Sequence, residues 1–196
     1  MQGHSRSLCA HLVFVAALGA CESEPAFFEG VEVYVGGVGT STPVVWHNGK
    51  AQSTGCSAGM VMGLRVFENA VVTVGSCNDH GYFESDRAKM AINGHTRAID
   101  LDGGLAYVAG GTNSPARAAY WIVDLATTTD NTLGVLLFEG APVVLDGDFG
   151  LADDIVAEGG QVFVGGVTRS PSTGRNVATV WRDEVPTQLT DGTEPG

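Results

Sequence analysis

A short run of apolar and β-branched residues ending in small residues recurs along the chain. It reads Val33-Tyr34-Val35-Gly36-Gly37, Val71-Val72-Thr73-Val74-Gly75, Ala106-Tyr107-Val108-Ala109-Gly110 and Val162-Phe163-Val164-Gly165-Gly166. The final glycines, Gly37, Gly75, Gly110 and Gly166, are 38, 35 and 56 residues apart. Such runs, bounded by turn residues, predict strands, and no window sustains the i, i+3, i+4, i+7 apolar spacing of an amphipathic helix. A second element precedes this strand. Ile99-Asp100-Leu101-Asp102-Gly103-Gly104-Leu105-Ala106-Tyr107 matches Ile155-Val156-Ala157-Glu158-Gly159-Gly160-Gln161-Val162-Phe163 position by position. Each reads as strand, acidic-Gly-Gly turn and return strand, a hairpin signature. Leu64 to Val72 fits the same frame, with Glu68-Asn69 at the turn.

A third element follows the glycines: an apolar strand often ending in Trp, then a polar turn. Its copies are Val44-Val45-Trp46-His47-Asn48-Gly49, Ala119-Tyr120-Trp121-Ile122-Val123-Asp124 and Ala178-Thr179-Val180-Trp181-Arg182-Asp183, with Met90-Ala91-Ile92-Asn93-Gly94 as a degraded one. A last short strand closes the unit, ending in Leu145-Asp146-Gly147 or Leu189-Thr190-Asp191-Gly192. The three tryptophans share one repeat position, which suits core between units better than a carbohydrate-stacking platform. The third unit carries an insertion, Leu125 to Gly140, whose apolar run Val135-Leu136-Leu137-Phe138 is expected to form an extra hairpin.

The fold class these units predict is all-β. About four strands in roughly 40 residues, repeated four times, is the signature of propeller blades. The order of motifs resembles β-propeller repeats of bacterial cell-surface and secreted proteins, where a Val-Tyr-Val-Ala-Gly strand precedes Trp-x-Asn-Gly and then Leu-Thr-Asp-Gly. The resemblance covers Glu29 to Gly192. It implies a β-propeller-like domain of about four blades over residues 29–196, with a binding or scaffold role. It matches neither the WD40 nor the kelch signature. Four blades is the low end for closure, so a closed ring, a half-propeller that forms a homodimer and a fragment of a longer array all stay open.

Residues 1–20 read as a signal peptide: His4 and Arg6 give a weakly basic start, and Leu8 to Ala17 is mostly apolar but too short to span a bilayer. Leu18-Gly19-Ala20-Cys21 resembles the lipobox of bacterial lipoproteins. The resemblance implies that Cys21 is acylated and becomes the mature N-terminus, with residues 21–28 as tether. The expected location is the cell envelope, lipid-anchored. Residue +2 is Glu22, not the Asp some bacteria use for inner-membrane retention, which favours the outer membrane.

Composition changes this picture in two places. The 28 glycines, with hydrophobic residues at 44 %, suit many tight turns between short strands rather than disorder. The formal net charge of −12 disfavours nucleic acid and anionic headgroups as partners, so membrane attachment is expected through the lipid. Of the four cysteines, Cys9 leaves with the signal peptide and Cys21 carries the lipid. Cys56 and Cys77 remain, either as a disulfide in an oxidising compartment or as two free thiols.

Candidate chemistry is sparse. Gly55-Cys56-Ser57-Ala58-Gly59 matches the G-x-S-x-G nucleophile elbow but lacks the strand–turn–helix setting, and with His95 as the last His only Asp79 and Asp86 are left for the acid between, so it reads as a Gly/Ser-rich turn. Asp146, Asp148, Asp153 and Asp154 form the densest carboxylate cluster, a weak candidate Ca²⁺ site without the full EF-hand series; a solvated turn in which Asp caps its own backbone explains it better. Asp79-His80 and His95 hint at a metal or acid–base pair but have no ligand spacing. No catalytic residue and no cofactor is assigned. The expected function is an envelope-anchored binding or scaffold module for a protein, peptide or glycan, with the Leu125–Gly140 insertion and the Cys77–Asp86 loop as the first faces to test. The alternatives are a glycan-active enzyme using Asp100 and Asp102, or Asp153 and Asp154, and a passive assembly subunit.

Overall fold

The structure is a computed structural model and describes residues 31–67, 70–86, 88–126, 136–137, 140–145, 147 and 149–193. The expectations for the signal peptide, for Cys21 and its tether, and for the Glu68-Asn69 turn lie outside these residues. The described elements are all strands, arranged in four sheets that follow chain order. The first sheet holds β1 (Tyr34–Val38), β2 (Pro43–His47) and β3 (Lys50–Ser53). The second holds β4 (Gly59–Phe67), β5 (Ala70–Cys77), β6 (His80–Glu84) and β7 (Lys89–Ile92). The third begins with β8 (His95–Asp102), β9 (Leu105–Gly111) and β10 (Ala118–Asp124).

From the insertion, β11 (Leu136–Leu137) runs parallel to β7 at the outer edge of the second sheet, while most of the segment expected as an extra hairpin lies outside the described residues. β12 (Val143–Val144) completes the third sheet on β10. The fourth sheet is β13 (Gly150–Glu158), β14 (Gln161–Arg169), β15 (Asn176–Arg182) and β16 (Val185–Gln188). Apart from β11, neighbouring strands pair antiparallel as simple up-and-down meanders.

Local sequence explains the connections. Five hairpins close through two residues that both have positive φ: Asn48-Gly49, Asn78-Asp79, Gly103-Gly104, Gly159-Gly160 and Asp183-Glu184. These are the turns whose twist matches that of paired strands, and Asn, Asp and Gly tolerate their left-handed backbone best. Asn48 and Asp183 also use their side chains. Each accepts a hydrogen bond from the backbone N–H that opens the preceding strand region, Val33 at 2.9 Å and Val162 at 3.0 Å.

Adjacent sheets meet face to face and bury three cores. Val45, Cys56, Val61, Cys77 and Tyr82 lie between the first and second sheets. Val74, Ile92, Ile99, Val108 and Trp121 are among those between the second and third, and Tyr107, Tyr120, Ile155, Val164 and Trp181 among those between the third and fourth. Trp121 and Trp181 therefore fill the inter-sheet core, as their recurrence predicts; Trp46 stays half-buried. Inter-sheet contact runs through the leading strands β4, β8 and β13 and fades towards the outermost strands, so the sheets splay outward.

The second sheet departs from the repeat as read from sequence. β6, not β7, holds the place of the Trp strand. Glu84 faces Thr73 across the β5–β6 ladder as Trp121 faces Val108 and Trp181 faces Val164. Met90 to Gly94 is thus the fourth strand and the following turn, and Glu84 is the residue that replaces the tryptophan. Its Oε1 lies 3.6 Å from Lys89 Nζ, and Lys89 also donates to the Thr54 carbonyl. Glu84 Oε2 is buried without a hydrogen-bond partner among the described residues.

The same junction carries the Cys56–Cys77 disulfide, with Cα atoms 5.6 Å apart and a sequence separation of 21. A loop of that length restricts the unfolded chain by about 3 kcal/mol. The cross-link therefore reinforces the junction whose core is smallest.

Burial raises the Glu84 carboxyl above the ordinary carboxylate range, and Lys89 opposes that shift without cancelling it. A raised pKa means that the folded chain binds the proton more tightly than the unfolded chain. The resulting stabilisation is complete at pH values below the unfolded pKa and is lost as pH rises through the folded one. Glu84→Gln should therefore gain stability relative to the wild type as pH rises from 4 to 7. Urea unfolding of both proteins at the two pH values checks this; an equal difference at both would refute it.

Candidate functional site

The leading strands of the second, third and fourth sheets repeat one backbone device. β4 is bulged at Met62, β8 at Arg97 and β13 at Asp153. The three residues are equivalent, each lying two positions before the matched residues Leu64, Ile99 and Ile155. A bulge inserts an unpaired residue and redirects its side chain. All three side chains are exposed, and Arg97 Nη1 meets Asp153 Oδ1 at 3.0 Å across the boundary between the third and fourth sheets.

Beside Met62 and Arg97 lies a groove of about 590 Å³ between the second and third sheets. The starts of β4 and β8 supply Met60, Met62, His95 and Arg97; the β5–β6 hairpin supplies Asp79 and His80. Cys77–Asp86, expected as a loop, is thus mostly hairpin, and its two-residue turn forms one wall. Asp79 holds a left-handed backbone at φ 70°, unusual for a residue with a side chain. Ser57 donates to the Asn78 side-chain oxygen at 2.8 Å, bracing that turn. The G-x-S-x-G match is therefore a loop, with Cys56 in the disulfide and Ser57 committed to an amide rather than to a histidine.

The groove is chemically mixed. Two thioethers are 40 % and 44 % exposed, and two imidazoles and a guanidinium stand against the single carboxylate of the lining, Asp79. In a chain of net charge −12 this is a local patch without negative excess. The structure brings Asp79, His80 and His95 to one site. No set of three or more His, Cys, Asp or Glu is gathered to hold a metal among the described residues.

The acidic pairs considered for glycan chemistry are placed elsewhere. Asp100 accepts from Arg65 Nε at 3.2 Å with one oxygen and from the Ala157 N–H at 2.9 Å with the other, tying the third sheet to the second and the fourth. Asp102 accepts from the Gly160 N–H at 3.2 Å. Asp153 is paired with Arg97, and Asp154 accepts from the neighbouring Ile155 N–H at 2.9 Å. Asp146 and Asp148, the other half of the Ca²⁺ candidate, lie outside the described residues.

Met62 and Arg97 are the site residues that sequence reading missed. A signal for them exists. Gly59, Gly94 and Gly150 each stand three positions ahead of a bulge, and their intervals of 35 and 56 equal those of Gly75, Gly110 and Gly166. No protein-family model, curated protein or solved structure matches the chain.

Asp100→Ala leaves Arg65 Nε and the Ala157 N–H without their acceptor and should destabilise the protein by about 2 kcal/mol. Asp153→Asn removes only an exposed pair and should change stability by less than about 0.5 kcal/mol. Urea midpoints of the two variants compare them, and equal losses would show that Asp100 does not tie the sheets together.

Proposed function

We propose that this protein is a lipid-anchored envelope module of propeller type, which holds a peptide or glycan of the cell envelope in the groove between its second and third sheets. The observation that carries the binding part is the groove itself. It is formed where equivalent bulges turn Met62 and Arg97 outward, and it exposes two methionines that core burial would normally claim. Flexible thioethers adapt to varied partners, and imidazole and guanidinium groups add directional hydrogen bonds. The meander sheets, joined at their leading strands and splayed at their outer ones, support the propeller reading. Binding is favoured over glycan hydrolysis because Asp100 and Asp102 are engaged between sheets and the groove lining holds one carboxylate.

The anchor rests on Leu18-Gly19-Ala20-Cys21. Expressed in a bacterial host, the chain should appear in the membrane fraction with a mass equal to Cys21–Gly196 plus acyl chains, and Cys21→Ala should abolish that species. An unprocessed soluble chain would overturn the export reading.

Methionine methyl groups test the groove. The chain has four methionines, of which Met60 and Met62 line the groove while Met90 is buried in a core. With ¹³C-methyl methionine, titration with peptidoglycan fragments and with envelope-derived peptides should shift the Met60 and Met62 signals and leave Met90 in place. Unmoved Met60 and Met62 signals across both series would remove the groove as the binding site.

A further inference from the structure

The first and fourth sheets each carry a face whose counterparts inside the chain are covered by a neighbouring sheet. On the first sheet the row across the strands is Val35, Trp46 and Ala51. Its counterparts are Ile99–Val108–Trp121 and Ile155–Val164–Trp181, each buried against the preceding sheet. Val108 and Val164 are almost fully covered, whereas Val35 is 39 % exposed and Trp46 half-buried.

On the fourth sheet the row runs through all four strands as Val156, Phe163, Arg182 and Val185. Val156 holds the place of Arg65 and Asp100, each of which bonds to the following sheet. Phe163 holds the place of Val72 and Tyr107, which lie in the inter-sheet cores. Here Val156 is 48 % exposed and Phe163 36 %, with the Arg182 guanidinium 5.6 Å above the Phe163 ring.

From these two rows we infer that two copies of this chain associate, the fourth-sheet face of one seated on the first-sheet face of the other. The rows are the two halves of a junction the chain already builds within itself, where a residue of the Tyr107 type meets a row of the Val164–Trp181 type. Among the described residues neither row has a self-pairing counterpart, so contact between like faces is not the geometry these sheets use. A second copy supplies both missing halves at once. Made twice about a two-fold axis, the contact closes a ring; made once, it leaves one face of each kind to recruit more copies. The inference rests on the stacked-sheet part of the reading above and is independent of what the groove binds.

The test uses the full chain, processed and extracted in detergent. Sedimentation at micromolar concentration should give twice the mass of the protomer. Phe163→Glu, a substitution at an exposed position, should weaken association by about tenfold or more while circular dichroism and the unfolding midpoint stay unchanged. Val35→Cys and Phe163→Cys proteins, mixed under mild oxidation, should cross-link to each other and not to themselves. A wild-type protomer that sediments alone overturns the inference, as does self-cross-linking of either variant equal to that of the mixture. Methionine-methyl shifts recorded on the same samples separate the two readings. A monomer whose Met60 and Met62 respond to ligand loses the association alone, and a dimer whose methionines stay silent loses the groove alone.

Discussion

At Gly75, Gly110 and Gly166 the leading and second strands of the second, third and fourth sheets approach so closely that no Cβ fits, and the rest of the architecture depends on that approach. A side chain at Gly75, Gly110 or Gly166 would run into the carbonyl of Met60, His95 or Leu151. Glycines at the start of the leading strand answer it: Gly59, Gly150 and, just before β8, Gly94 face the carbonyls of Ser76, Val167 and Gly111. Two strands held this tightly do not keep a regular pleat, and one residue is displaced as a bulge. Because the device recurs at one position per sheet, Met62, Arg97 and Asp153 are turned outward in register. The backbone thus decides where exposed chemistry appears, and the side chain only decides which chemistry it is.

Much of this is legible in the sequence, and the parts that are not fail for identifiable reasons. The strand runs ending in Gly37, Gly75, Gly110 and Gly166 predict the all-β class and the unit boundaries, because tight turns and close strand approach both demand small residues. Trp121 and Trp181 mark their core rows because a large side chain between sheets leaves a periodic trace. The second unit breaks the trace. With Glu84 at the tryptophan place, pattern matching slides one strand onward to Met90–Gly94, since a buried carboxylate cannot be told from a surface one without its neighbours Thr73 and Lys89. The groove is less legible still. Asp79, His80 and His95 are visible as types, but their meeting depends on sheet-to-sheet placement that a single sequence does not encode locally. Bulges likewise leave no mark of their own, only the glycines ahead of them.

The junctions differ in how they are held. The second and third are built around buried tryptophan and are further tied by Asp100, which spends one oxygen on each side. The first has fewer buried apolar residues and a carboxylate where the others have an indole. Its disulfide joins the segment leading into β4 to the end of β5, so the covalent bond spans the place where apolar burial contributes least. At this junction a cross-link stands where shape-filling side chains stand at the other two.

Repetition leaves two positions of the leading strand free of core duty, and the sheets diverge at both. At the bulge the residues are a thioether, a guanidinium and a carboxylate, and two of them meet as the Arg97–Asp153 pair. At the linking position they are Arg65, Asp100 and Val156: a cation and an anion that bind each other, then an apolar residue. Asp100 is bound through both oxygens between sheets and Asp153 is paired with Arg97, so these acids of the leading strand link one sheet to the next. Met60, Met62, Asp79, His80 and His95 remain open to solvent in the groove. In this chain the leading strand thus carries links on the face that meets the next sheet and exposed residues of varied chemistry at the bulge.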